Sequence, residues 1–97
     1  MTTAYQQTVI VLNQNLAAFE KSIDSCNINK MLDENITFVD TLRNANNIFE
    51  SLSPKVKYDE ASTRNKSKDL VRKYFNTKNR IDETCSCMSA THRSQKQ

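Results

Sequence analysis

The sequence predicts an all-α fold: a long helical hairpin with a third helix against it, of the coiled-coil or three-helix-bundle type. Three observations predict it. Apolar side chains recur in alternating steps of four and three along Tyr5, Val9, Leu12, Leu16, Phe19, Ile23 and Cys26, and again along Met31, Asn35, Phe38, Leu42, Ala45, Phe49 and Leu52, which lines each set along one side of a helix. The two stripes are out of phase with each other. The chain of 97 residues has no glycine and one proline, so it lacks the residues that tight β-hairpins and glycine-rich phosphate or dinucleotide loops require.

The first helix is expected to start at Thr3, with Gln6 three residues on completing a capping box, and to run to about Cys26. Val9, Leu16 and Ile23 take the a positions of its heptad; Tyr5, Leu12, Phe19 and Cys26 take d. Ile10 and Val11 fall outside that seam, which asks for a second neighbour near the N-terminal end. After Cys26 the seam resumes two residues early, a rotation of roughly 200° at 100° per residue. A turn at residues 26–30, with Asn27 and Asn29 in capping or left-handed roles, folds the two seams face to face. The alternative is one long helix that meets different partners on each half.

The second helix spans about residues 30–52, where Leu32 and Val39 widen the apolar face and Asp33 and Glu34 favour the positive end of the helix dipole. Asn35 is the polar residue in this seam. It is read either as a tolerated position near a helix end or as a register-setting asparagine paired across an interface. Ser53-Pro54 then stops the second helix and caps a third. Residues 57–69 offer only Tyr58 and Ala61 as apolar groups and fit a solvated helix, a loop or an arm. Apolar spacing returns with Leu70, Val71, Tyr74, Phe75, Ile81, Cys85 and Met88. The expected organisation is a single domain: a heptad-bearing hairpin over 1–52, a basic third helix with a polar first half over 53–90, and a flexible tail over 91–97.

Charge is divided unevenly. Residues 1–52 hold three basic and six acidic side chains, and residues 53–97 hold eleven basic and five acidic ones. The densest basic stretch is Arg64, Lys66, Lys68, Arg72, Lys73, Lys78 and Arg80. It reads as a solvated helical face or as a site for nucleic acid, an anionic membrane or an acidic protein tail. The acidic half also invites pairing with basic helices, of partners or of the chain's own C-terminal part.

No signal for a catalytic site, a cofactor or a metal stands out. Cys85-Ser86-Cys87 with His92, completed by Cys26, is the one group of metal-ligand atoms, but it lacks the spacing of common zinc sites. The adjacent acidic pairs Asp33-Glu34, Asp59-Glu60 and Asp82-Glu83 point to different sides of a helix and read as solvated charge. Three cysteines, an odd number, suggest free thiols in the cytoplasm or nucleus. Asn35-Ile36-Thr37 and Asn65-Lys66-Ser67 match the glycosylation sequon, to which that location would give no role. The longest aliphatic run, residues 9–12, is too short for a signal peptide or a membrane span.

The expected function is therefore that of a non-enzymatic coiled-coil subunit of a larger assembly. Its expected partner interface comprises Tyr5, Val9, Leu12, Leu16, Phe19, Ile23, Met31, Phe38, Leu42, Phe49 and Leu52, with other helical subunits as the partners. In size and heptad style the chain resembles the short helical subunits of fungal kinetochore, microtubule-ring and lysosome-related trafficking complexes. That likeness transfers no residue roles.

Overall fold

The computed structural model describes residues 2–79, which form four helices: α1 (Ala4–Asp24), α2 (Ile28–Glu50), α3 (Pro54–Asp59) and α4 (Ala61–Asn79). The expected hairpin is present. Thr3 accepts from the backbone N–H of Gln6 while the Gln6 side chain accepts from the Thr3 N–H, so the first turn of α1 is closed by the capping box. Tyr5, Val9, Leu12, Leu16, Phe19 and Ile23 of α1 are buried, and they meet Met31, Phe38 and Ala45 of α2. Tyr5 packs on Phe49 at a ring separation of 5.2 Å. One polar tie, from Asn15 Nδ2 to Thr41 Oγ1 at 2.7 Å, crosses between the two helices.

The turn is shorter than expected and uses a different residue. Asn27 caps α2 by accepting from the Lys30 N–H, but Asn29 already lies inside the helix. The left-handed position falls to Cys26, with φ of 55°. The Asn27 N–H donates to the Ser22 carbonyl and the Cys26 N–H to the Ile23 carbonyl, the bonding of a Schellman motif in which glycine normally takes the Cys26 place. Without glycine in the chain, the motif costs about 1–2 kcal/mol in backbone strain.

The third segment is helical through residues 57–69, and it is two helices rather than one. Ser53 caps α3 and Pro54 begins it. The path then bends at Glu60 and continues as α4, antiparallel to α2, with Arg64 at Phe49 and Tyr74 at Phe38. Glu60 is 5 % exposed, so the expectation of a solvated side chain fails there. Its carboxylate accepts from Thr3 Oγ1 at 3.3 Å and from Gln6 Nε2 at 3.0 Å, anchoring the bend to the start of α1.

α4 lies on the hairpin through Leu70 and Tyr74, supported by buried Ser67 and Thr77. The Tyr74 ring stacks on Phe38 at 4.3 Å and tilts against Phe19 at 5.5 Å, joining α1, α2 and α4 at one point. Its hydroxyl donates to Asn35 Oδ1. Burial pushes the Tyr74 hydroxyl above its ordinary pKa, because desolvation disfavours the phenolate. Asn35 is thus paired inside the chain, across the α2–α4 contact. Ile81, Cys85 and Met88, and the tail over 91–97, lie outside the described residues.

Candidate contact surfaces

Of the eleven side chains expected to meet partners, Tyr5, Val9, Leu12, Leu16, Phe19, Ile23, Met31 and Phe38 are buried in the chain's own core, and Leu42, Phe49 and Leu52 are half-buried. Each seam finds its mate within the chain. A partner helix reaching the buried positions would have to displace α1 from α2 or lift α4 away.

Other apolar groups remain at the surface. Ile28, Leu32 and Ile36, one helical turn apart along α2, are 49 %, 59 % and 59 % exposed, and Phe75 of α4 is 52 % exposed. At 100° per residue the three aliphatic side chains form a continuous ridge, with the core side of α2, marked by Met31 and Phe38, well round the helix. Leu42, Asn46, Arg64, Lys68 and Val71 line an open cleft between α2 and α4. Phase then puts Val39, and above it the ridge, along the side of α2 that borders α4, with Phe75 one turn beyond Val71. Asp33 and Asp40, both exposed, flank the ridge on the side away from α4. The sequence contained this signal as Leu32 and Val39 beside the seam, but a widened core face and an outer ridge look alike until the position of α4 is known.

The basic stretch does not converge on one site. The Arg64 guanidinium lies 4.3 Å from the centre of the Phe49 ring, Lys78 is 5.9 Å from that of Tyr74, and Arg72 pairs with Asp69 at 3.4 Å. Lys66, Lys68 and Lys73 are exposed. Lys66 and Lys73 border an open cleft between α1 and α4, floored by Val9, Ile10 and Leu70 and sharing its rim with Asp69. Arg80 lies outside the described residues. Between the acidic and basic halves, the ion pair among the described residues is Lys57 with Glu50, at 3.7 Å.

Cys26 is disulfide-bonded, contrary to the expectation of free thiols, and a sulfur so engaged is not available as a thiolate ligand. Cys85, Cys87 and His92 lie outside the described residues, among which no group of three metal-ligating side chains assembles. Nor is any helix among them long and apolar enough to cross a membrane. Asn65 is exposed on α4, whereas the Asn35 amide is engaged by Tyr74. Comparison with known proteins finds no matching family model, curated protein or solved structure.

Proposed function

We propose that the chain is a non-enzymatic helical subunit of a larger protein assembly, and that the outer ridge of α2 receives an amphipathic helix with basic side chains along one flank from another subunit. The observation that carries this reading is the ridge itself: Ile28, Leu32 and Ile36 stand about half or more exposed while the core closes without them. Completing the burial of each would stabilise a complex by about 1 kcal/mol. On the side away from α4 the ridge is flanked by Asp33 and Asp40, which favours basic side chains on that flank of the partner, whereas Arg43 in line with the ridge and Lys68 on the α4 border are basic.

The test is recovery of the native complex through a tag on the full chain, with the mass of the isolated chain measured beside it. A heteromeric complex that survives high salt, and is lost in L32D/I36D while the variant keeps its helical circular dichroism, is the expected result. A native species of the same mass as the isolated chain, or a complex indifferent to both substitutions, defeats the proposal. A second reading, binding of an anionic surface, draws on the exposed Lys66, Lys68 and Lys73 of α4. It predicts association with DNA, RNA or anionic vesicles that falls steeply with salt and with charge reversal at these lysines.

A further inference from the structure

The cleft between α1 and α4 is a second surface that the core leaves open. Its floor is Ile10, still 47 % exposed with α4 in place, beside buried Val9 and Leu70, and its α4 rim carries Lys66, Asp69 and Lys73. We propose that this cleft receives an acidic amphipathic helix of a partner protein, whose carboxylates meet Lys66 and Lys73 and whose apolar side chains cover Ile10.

Charge supports an acidic occupant. Lys66 and Lys73 are exposed and make no ion pair among the described residues, whereas Asp69, the acidic side chain on the rim, pairs with Arg72 at 3.4 Å. Two ammonium groups therefore stand over an aliphatic floor without carboxylate partners. Lysine stems lying along such a floor add apolar surface while their heads stay in water, so the cleft offers apolar contact below and positive charge above.

Spacing supports a helix. Lys66, Leu70 and Lys73 follow one another along α4 in steps of four and three, which roots the two lysines about 10.5 Å apart at 1.5 Å per residue, with an apolar position between them. A helix laid along the cleft repeats at the same interval. Carboxylates seven residues apart, with an apolar side chain three or four residues from each, answer both lysines and the floor together. A small anion with one head group answers one lysine and leaves the other. Nucleic acid answers the charge but sets phosphates and base edges against Ile10.

The cleft shares no side chain with the α2 ridge, and its occupant carries the charge opposite to that favoured beside Asp33 and Asp40. The inference therefore stands or falls apart from the helix proposed for the ridge, and both surfaces can be filled at once.

The probe is a synthetic alanine-based peptide of about 20 residues, long enough to hold a helix in water, with glutamates seven residues apart and a leucine between them. It is titrated into the full chain at low ionic strength, where exposed charges are least screened, and followed by the amide resonances. We expect saturable shifts over residues 9–13 and 66–73. Affinity should fall about tenfold in K66E/K73E and several-fold in Ile10→Gln, changes at exposed positions that leave the core side chains in place. K68E, on the α2 side of α4, should bind as the parent does. The proposal is overturned by the absence of saturable shifts, by shifts confined to other surfaces, by equal binding of a peptide with glutamine for glutamate, or by a loss in K68E as large as in K66E/K73E. Decanoate or a DNA oligonucleotide producing the same shifts at lower concentration than the peptide also overturns it.

Discussion

The α1–α2 hairpin and the α4 layer are both helical, yet they are held by different means. The hairpin joins two seams of seven positions each, and six side chains of α1 are buried along it. α4 meets that surface with Leu70 and Tyr74 and adds small polar groups, Ser67 and Thr77. Apolar area is therefore concentrated in the hairpin, while the placement of α4 depends on a few specific contacts: the Tyr74–Asn35 hydrogen bond, the Glu60 anchor and Arg64 over Phe49. Burial sets how firmly helices associate; directional contacts set which way they lie.

The sharpest way to break the comparison is a large-to-small change on each side of it. Phe38→Ala removes a fully buried ring at the point where α1, α2 and α4 meet, and should cost about 3–5 kcal/mol. Leu70→Ala, at the less completely buried edge of α4, should fall at or below the low end of the Leu→Ala range, about 2 kcal/mol. Urea denaturation of both variants measures the difference. Equal losses would show that α4 is as integral to the core as the hairpin is.

Native-state hydrogen exchange sharpens the same contrast without mutation. With fewer buried apolar contacts, α4 should open in a step that leaves the hairpin folded, so amides over 61–79 should exchange with a lower opening free energy than those over 9–23 and 31–45. A single opening free energy shared by all three helices would contradict it.

How much of this was legible in the sequence follows from the same division. The hairpin was legible because Leu12, Leu16, Phe38 and their neighbours repeat at a fixed interval, and periodicity is a local signal. The phase shift after Cys26 located the turn. It did not single out Cys26 as the left-handed residue, since cysteine has no special tolerance for that conformation and Asn27 and Asn29 do. Glu60 was illegible for a different reason: the groups that bury it, Thr3 and Gln6, are more than fifty residues away in sequence. Asn35 stood out as the polar residue in an apolar stripe, but only the path of α4 identifies Tyr74 as its partner. Contacts between distant segments leave little periodic trace, so the surfaces left exposed after α4 docks were not readable either.

Tyr74→Phe separates the directional contact from the area. The ring stays and the hydroxyl goes, leaving Asn35 Oδ1 without its donor, at a cost of about 1 kcal/mol at neutral pH. The pH dependence supplies a second readout. The Tyr74 pKa is raised by burial, so above the ordinary tyrosine value the unfolded chain releases this proton while the folded one retains it. That stability is fully present below pH ~10 and is lost as pH rises toward the folded-state pKa. The variant should therefore lose stability less steeply than the parent above pH ~10, seen in urea midpoints taken from pH 8 to 11. Parallel profiles would mean that the hydroxyl is as solvated in the folded chain as in the unfolded one.

The smallest effect should carry the opposite sign, and it lies in the hairpin. Tyr5 is 1 % exposed, its ring packs on Phe49, and its hydroxyl has no hydrogen-bond partner among the described residues. A buried hydroxyl without a partner gives up its hydration and receives nothing in return. Tyr5→Phe keeps the ring contact and removes the oxygen, so it should leave stability unchanged or raise it by up to about 1 kcal/mol, detectable as a small increase in Tm. The contrast with Tyr74→Phe is the informative part: the same chemical deletion should weaken the chain where α4 is positioned by a hydrogen bond, and spare or strengthen it where the hairpin is held by area alone. A loss at Tyr5 equal to that at Tyr74 would show that its hydroxyl, too, has a partner in the folded chain.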